Sequence, residues 1–450
     1  MSGSIVGTME IRVHGDGPAK LAFRLGGVFL ILGAAGMLLQ ALRLSVPDLL
    51  NIAGFSFGRL QPAALGAITF GWAVLGSLGA AYYAVPRLVG PLRLGPLANV
   101  SVLSVAVGTV LGIVSVLLFE TAPGFQLEFP LFADALIIAG LVLAAGVIVE
   151  TSRDRRAYIS VWFFAAAFTF GALGLGLSNL PLDGLGHALT LRVGQAAMWT
   201  LILGSAVGTL YFLIPRGTGN ALYSAKLSAI SFWTLFGVFG WIGPALMTYG
   251  PAPAWLDTIG ALFAIATIVP VASVLANLGL TLQGRWGDIT SSSVLTLAVA
   301  SLASLALLSV HVIGLGVRSA SAVVQYTPWV EAGPVLVTLG VATFAFLGLR
   351  VEGAGDRPVS WFIRGLIGGV MGLVLVLWIN GLATGLTWLA GPNSQDFTNA
   401  GSGFSNTTVL QVGFDVARWL LWIPVVGGVL YAWVTWTRWN EELVEESADA

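Results

Sequence analysis

Cysteine is absent from this chain of 450 residues, and histidine occurs only three times. Without cysteine the chain can form no disulfide bond, no thiolate metal site, no iron–sulfur cluster and no c-type heme attachment. Three histidines also leave very few imidazoles for binding a metal ion or a heme iron. The side chains of this sequence therefore offer little for metal chemistry.

Charged residues are scarce as well. Asp, Glu, Lys and Arg make up 9% of the chain, whereas hydrophobic residues make up 57% and the mean hydropathy is +0.90. Soluble globular domains do not have this composition. The chain is therefore predicted to be an integral membrane protein whose expected surroundings are membrane lipid, with no nucleic-acid partner.

Twelve apolar stretches of roughly twenty residues follow one another, and this is the length that crosses about 30 Å of hydrocarbon. The predicted fold is all-α, a polytopic membrane bundle of about 12 transmembrane helices over residues 21–438. An N-terminal segment, 1–20, precedes it, and an acidic tail, 439–450, follows with a composition typical of disorder. The charged first twenty residues do not resemble a cleavable signal peptide. The helix centres lie near Gly33, Val74, Val110, Leu141, Phe168, Leu203, Leu235, Ile268, Ser304, Gly340, Val374 and Val425.

Basic residues predict the orientation of the bundle, because cytoplasmic loops carry an excess of Lys and Arg. Only Arg43, Arg59, Arg192 and Arg318 fall on one side. An even number of helices then places both termini in the cytoplasm, and the expected location is the inner (plasma) membrane, with multiple passes. The residues on the basic side are Arg12, Lys20, Arg87, Arg93, Arg153, Arg155, Arg156, Arg216, Lys226, Arg285, Arg350, Arg357 and Arg438.

Several local strings carry a family resemblance. They are FGRLQPAALGAITFGWAVLGSLGAAYYAVPR (57–87), GTLYFLIPR (208–216), YSAKLSAISFW (223–233), GWIGPALMTY (240–249) and WINGLATGLTW (378–388). In their order and spacing across the twelve helices, they resemble catalytic subunit I of the heme-copper oxidases, in the branch of the cbb-type cytochrome c oxidases and nitric oxide reductases. The resemblance implies a subunit I-like bundle with a respiratory function.

The resemblance also implies six histidine positions that bind two hemes and copper, and this chain carries no histidine at any of them. The former ligand positions are Ala64, Gln195 (after Gly194), Ala245, Leu246, Gly333 and Val335, and the active-site tyrosine corresponds to Phe239. These residues cannot ligate heme iron, and only Gln195 could offer copper a weak oxygen ligand. We therefore expect no cofactor, no catalytic residue and no metal site in this degenerate member.

Ionisable residues inside a membrane bundle are costly and need an explanation. His311 could relay protons, bind a ligand, or form a hydrogen bond between helices. Asp415 and Arg418 are one helical turn apart, which predicts a structural ion pair. Glu331 could guard a path at the mouth of the tenth helix or be solvated there. Gln195 is expected to form an interhelical hydrogen bond.

Three functions stay open. The chain could be a noncatalytic scaffold or partner subunit of a respiratory membrane complex, which would make it a pseudoenzyme. It could be a working terminal oxidase or nitric oxide reductase subunit with unusual ligation, or a secondary transporter. If the cofactors are gone, we expect the helices to have drawn together around Phe236, Phe239 and Trp241. No role is predicted for His187, placed in a loop, or for His14.

Overall fold

The computed structural model describes residues 16–50, 52–119, 126–250, 252–353, 359–390 and 403–448. Within these residues, twelve helices are long and apolar enough to cross a membrane, and each contains one of the predicted centres. The predicted all-α bundle of twelve helices is therefore confirmed. The helices are α1 (Gly17–Ser45), α2 (Phe57–Val89), α3 (Gly95–Leu118), α4 (Leu131–Ser152), α5 (Ile159–Ser178), α6 (Gly184–Thr218), α7 (Ala225–Met247), α8 (Ala254–Thr281), α9 (Ser293–Gly316), α10 (Pro328–Gly353), α11 (Trp361–Leu389) and α12 (Leu410–Thr435).

Three helices form the interior of the bundle. The most apolar stretches of α2, α6 and α10 are entirely buried, whereas the other nine helices leave part of their apolar surface exposed. A helix that is hydrophobic all round belongs in the core of a bundle, and one with an exposed apolar face suits contact with lipid. Four of the six positions that the resemblance assigns to ligands lie on α2, α6 and α10, and the other two, Ala245 and Leu246, lie at the end of α7.

Two of the inner helices widen in the middle. A π-helical segment occupies Ala67–Val74 of α2, and another occupies Val335–Ala342 of α10. The two helices are joined there by a hydrogen bond from Trp72 Nε1 to Thr343 Oγ1, 2.7 Å long. Wide turns of this kind are uncommon and often occur at functional sites. Each begins within a few residues of a former ligand position, Ala64 or Val335.

Some boundaries differ from the sequence prediction. The first helix begins at Gly17, inside the predicted N-terminal segment. The last helix runs from Gly403 to Ala448 and so passes through most of the predicted tail, because glutamate is a good helix former and no Gly or Pro interrupts that stretch. His187 lies in the first turn of α6 and not in a loop, and His14 lies outside the described residues.

Candidate functional site

The former copper position on α6 is part of a buried polar network. Gln195 Nε2 donates to Gln126 Oε1 over 3.0 Å, and Arg192 Nη1 donates to Gln195 Oε1 over 2.8 Å. Trp199, one helical turn after Gln195, donates its indole Nε1–H to the same Gln126 oxygen over 2.9 Å. Gln195 was predicted to form a hydrogen bond between helices; it is hydrogen-bonded, but its partner Gln126 lies in the loop before α4 and not on a helix.

Gln126 reaches this network from a strained backbone. Its φ is +71°, in the left-handed region that side-chain-bearing residues rarely adopt. Such a conformation costs on the order of 1 kcal/mol or more and persists only where the surroundings enforce it. Two buried donors, on Gln195 and Trp199, share its side-chain oxygen. We attribute the conformation to this requirement, since leaving buried donors unpaired costs more.

Next to the network, Trp199 and His311 meet at the former heme-ligand position on α10. A Cβ atom added to Gly333 would lie 2.7 Å from His311 Nε2 and 2.7 Å from Trp199 Cη2. Both rings are almost entirely shielded, with 0% and 2% of their surface exposed. The indole and the imidazole therefore occupy the space directly beside Gly333, and only the absence of a side chain there allows it.

A hydrogen bond to Trp378 fixes the tautomer of His311. Trp378 Nε1 lies 3.2 Å from His311 Nδ1. Indole N–H is only a donor, so Nδ1 must be the acceptor, and the proton of the neutral imidazole then resides on Nε2. The lone pair of Nδ1 accepts the hydrogen bond from Trp378, and the protonated Nε2 has no lone pair that could bind a metal ion. Of the three roles considered for His311, the hydrogen bond between helices is present, and in this tautomer neither nitrogen has a lone pair available for a metal ion.

Two further indoles extend this aromatic cluster, which consists of Trp199, His311, Trp329 and Trp378. Trp329 and Trp378 stack with ring centroids 4.8 Å apart and an interplanar angle of 14°. His311 lies nearly parallel to both, at 8° to Trp329 and 6° to Trp378. Offset stacking of this kind adds to the burial energy of large rings. Helices α6, α9, α10 and α11 are thus held together by one aromatic cluster.

The prediction that the helices pack around Phe236, Phe239 and Trp241 is right in part. Phe236 and Phe239 are buried, with 4% and 0% of their surface exposed, but Trp241 is 55% exposed and does not fill the interior. Trp241 lies within α7, two residues after the π-helical segment Leu235–Phe239. The group that sequence reasoning missed is Trp199, although its spacing of four residues from Gln195 places the two on the same helix face.

The remaining former ligand positions are closely packed. Ala64 faces α1, where a Cβ on Gly36 would lie 2.9 Å from the Ala64 methyl group. Ala245 is fully buried and contacts α8, since a Cβ on Gly260 would lie 2.6 Å from its backbone nitrogen. Beside Val335 there is a cavity of about 20 Å³, and this space holds about one water molecule.

Arg418 pairs with a different carboxylate from the one predicted. Its guanidinium binds Glu331 at the start of α10, and only 10% of the Arg418 side chain is exposed. Asp415 instead accepts a hydrogen bond from Gln411, 3.2 Å away. The predicted Asp415–Arg418 pair is thus not formed, because Arg418 points into the bundle toward α10. Glu331 is not simply solvated, and it links α10 to α12.

One acidic group outside the spanning helices has a shifted pKa. Burial raises the pKa of Glu128 from an ordinary 4.5 to about 7, and hydrogen bonds from backbone amides oppose the shift. One of these bonds joins the Gln126 amide to Glu128 Oε1 over 2.9 Å. Because Gln126 also holds Gln195 and Trp199, the protonation of Glu128 is connected to the polar network through a single residue.

Comparison with known proteins identifies the family of this chain. The family described as "Cytochrome C and Quinol oxidase polypeptide I" matches residues 18–401. The match covers most of the chain. The chain belongs to this oxidase subunit I family.

Similar proteins and a solved structure agree with this family assignment. The chain is 26% identical over 410 residues to the Cbb3-type cytochrome c oxidase subunit CcoN1 of Stutzerimonas stutzeri, with 85% of each chain covered. It is 25% identical over 412 residues to cytochrome c oxidase subunit 1 of Rhodobacter capsulatus, covering 84% of this chain and 74% of the relative. A solved heme-copper terminal oxidase shares the fold, with a TM-score of 0.72 and 14% identity over 94% of this chain and 84% of that one.

Subunit I proteins of this family bind hemes and copper, but the residues at the positions that the resemblance assigns to their ligands do not fit those groups. Gln195 is the one ligand position with an oxygen to offer, and that oxygen already accepts from the Arg192 cation. The imidazole of His311 is held in a non-ligating tautomer by Trp378. No group of three or more His, Asp or Glu residues within the described part of the chain could hold a metal ion.

Proposed function

We propose that this chain is a noncatalytic member of the oxidase subunit I family, retained as a scaffold or partner subunit of a respiratory membrane complex. One observation carries the proposal. The family resemblance assigns position 333 to a heme ligand. The space directly beside Gly333 is filled by the buried rings of Trp199 and His311. The chain's own side chains occupy the space into which a ligand side chain at position 333 would extend.

The chemistry of the family supports the same conclusion. Reduction of dioxygen or nitric oxide requires one-electron steps that protein side chains do not supply without a redox cofactor. To admit a ligand side chain at position 333, the Trp199 and His311 rings would have to leave their positions, which breaks the hydrogen bonds to Gln126 and Trp378. Removing a buried aromatic ring from its packing typically costs about 3–5 kcal/mol. The packed interior therefore opposes cofactor insertion.

The decisive experiment is the optical spectrum and metal content of the purified protein. The chain would be expressed in a heme-replete host, with the Rhodobacter capsulatus relative purified in parallel as a positive control. We expect no reduced-minus-oxidised heme signal and less than one tenth of an equivalent of iron or copper. Stoichiometric, reducible heme would refute the proposal and support the alternative of a working oxidase with unusual ligation.

The subunit role needs its own test. Helices on the outside of the bundle expose apolar side chains, such as Val107 at 49% and Leu173 at 68%, which lipid or neighbouring subunits can cover. A tagged chain would be extracted from its native membrane in mild detergent. We expect it to elute with respiratory-chain subunits in fixed stoichiometry. Elution as an isolated chain, with solute uptake in reconstituted vesicles, would favour the transporter alternative instead.

We also propose that both termini are cytoplasmic, on the basis of the basic-residue asymmetry. The chain has no native cysteine, so single cysteines at Ser2 and Ala450 give a clean readout. Neither should react with a membrane-impermeant thiol reagent in intact cells, and both should react after the cells are opened. Labelling from outside would refute the orientation.

A further inference from the structure

The arginines at the two ends of the bundle have different partners. At the end with the excess of basic residues, carboxylates neutralise them in the ion pairs Arg87–Asp16, Arg93–Asp154, Arg153–Glu150, Arg216–Glu352 and Arg285–Asp288. Of the four arginines at the opposite end, Arg43 and Arg59 donate to backbone carbonyls. Arg318 donates to the Ala254 carbonyl and the Thr258 hydroxyl. These three cations therefore have neutral partners within the described part of the chain.

Arg192, the fourth arginine, lies in the third turn of α6 and also has a neutral partner. Its Nη1 donates to Gln195 Oε1, an amide oxygen, over 2.8 Å. Among the described residues, the phenol of Tyr326 is the one titratable group that acts on it electrostatically. The guanidinium is only partly exposed, and a charge that has lost part of its water without gaining an opposite charge is costly. A carboxylate from outside the chain would offset that cost.

Two exposed tyrosines stand beside this cation. Tyr249 lies between α7 and α8, and Tyr326 lies between α9 and α10, so both are outside the spanning helices. Their exposed fractions are 55% and 72%. The two segments meet, because a Cβ atom added to Gly250 would lie 3.7 Å from the Tyr326 hydroxyl. Arg192, Tyr249 and Tyr326 together are called the arginine–tyrosine surface below.

The backbone holds both tyrosines in a fixed, strained position. Their φ angles are +63° and +62°, in the left-handed region that bulky residues rarely adopt. Such strain persists only where the surroundings enforce it, and it is frequent at binding sites. The Tyr249 hydroxyl donates to the Arg318 carbonyl over 3.0 Å, which ties the two segments to each other. A partner would therefore meet a preformed surface, which lowers the entropic cost of binding.

We propose that the arginine–tyrosine surface binds a carboxylate-bearing segment of a partner protein, with Arg192 as the counter-charge. The inference rests on the proposed role as a subunit of a membrane complex. Tyrosine and arginine are among the residues that contribute most to protein interfaces. Anchoring at the membrane interface would explain exposed tyrosines, but it would not explain a partly shielded cation without an acidic partner. A carboxylate supplies both the opposite charge and the acceptor oxygens that a guanidinium requires.

The test is site-directed photocrosslinking of the full-length chain in its native membrane. Benzoylphenylalanine would be introduced at position Tyr249, or at the exposed Tyr223 of the basic end as a control position. Crosslinked peptides would be identified by mass spectrometry. Arg192→Gln removes the cation, whereas Arg192→Lys keeps it and retains a donor for Gln195. Arg59→Gln is the matched control, because Arg59 also donates to carbonyl groups but at the end of α3.

We expect one adduct at position 249, with a peptide of another protein that contains Asp or Glu, and not at position 223. Arg192→Gln should lower its yield at least about tenfold, since removing one partner of an interfacial charge pair weakens binding strongly. Arg192→Lys and Arg59→Gln should retain it. An adduct with lipid or with a second copy of this chain would overturn the proposal. So would a yield that Arg192→Gln leaves unchanged, or one that Arg192→Lys or Arg59→Gln lowers equally.

Co-elution with respiratory-chain subunits, measured on the same membranes, separates this inference from the proposed function. Co-elution without the adduct at position 249 would leave the subunit role standing and overturn the arginine–tyrosine surface. Absence of both would refute the subunit role and the surface together.

Discussion

Replacing Gly333 with alanine tests whether the former cofactor space is closed. The added methyl carbon would lie 2.7 Å from both His311 Nε2 and Trp199 Cη2, whereas nonbonded carbon contacts are comfortable at about 3.5–4.0 Å. Neither neighbour can easily move, because Trp199 is bound to Gln126 and His311 to Trp378. One of these hydrogen bonds or the α10 backbone must therefore shift.

The expected cost is the balance of three effects. Overpacking a tight interior costs about 1–3 kcal/mol. Replacing glycine by alanine within a helix normally gains up to about 1 kcal/mol. That gain is reduced here because Pro334 follows, and a residue with a Cβ before proline disfavours helical backbone angles. We therefore expect Gly333→Ala to lower the free energy of unfolding by about 1–3 kcal/mol.

The free energy of unfolding would be measured by SDS titration in mixed micelles. Gly279→Ala is the matched control, because a Cβ at this helical glycine meets no atom within 4 Å, and it should be neutral or mildly stabilising. Adding Trp199→Phe to Gly333→Ala should recover part of the loss, since residues in contact are not additive. If Gly333→Ala and Gly279→Ala behave alike, the space beside Gly333 is open and the reasoning about infill is wrong.

Three other outcomes can be measured in the same way. Arg418→Met should destabilise the protein by about 1–3 kcal/mol, because it leaves a partly buried Glu331 without its partner. Asp415→Asn should change the stability by less than about 0.5 kcal/mol. A larger effect of Asp415→Asn would indicate that Asp415 does pair with Arg418. The pKa of Glu128 in the folded state, about 7, lies above its ordinary value of 4.5. The stabilisation that the protonated Glu128 side chain provides is therefore fully present below pH 4.5 and is lost as the pH rises through 7. The loss amounts to at most about 3 kcal/mol. Glu128→Gln should flatten that part of the pH profile, and an unchanged profile would contradict the burial of Glu128. Ala64→Trp should overpack the α1–α2 contact and lower the midpoint by at least as much as Gly333→Ala, and an unchanged midpoint would show that α1 can move aside.

Much of the fold could be predicted from the sequence because the membrane constrains it so strongly. Helix length follows from bilayer thickness, and every backbone group must be satisfied within its own helix. The centre of each spanning helix was therefore readable from hydropathy alone, and the hydrogen bonding of Gln195 and His311 followed from the cost of burying polar groups. The exact ends of α1 and of the last helix could not be predicted from hydropathy, because residues with high helix propensity continue past the apolar stretch.

Contacts between distant helices were beyond the reach of the sequence. The Asp415–Arg418 pair was predicted from helical spacing, but the true partner of Arg418 is Glu331, which is 87 residues away. Trp199 could be placed on the face of Gln195, yet nothing in its own helix indicated that it would meet His311 beside Gly333. Local spacing reports which residues share a face, and only the packing of the helices decides what that face contacts.

Loss of the histidine ligands alone would not leave a stable bundle. An unfilled void costs about 24 cal/mol per Å³, so an empty space on the order of 500 Å³ would cost roughly 12 kcal/mol. That equals the entire stability of many folded domains. In this chain the glycine at 333 makes room for Trp199 and His311, and Gln126 satisfies the donors of Gln195 and Trp199. These residues depend on one another, because the rings of Trp199 and His311 need both the absence of a side chain at Gly333 and their hydrogen-bond partners. If the chain holds no cofactor, as we propose, such matched contacts are what keeps the subunit I fold stable.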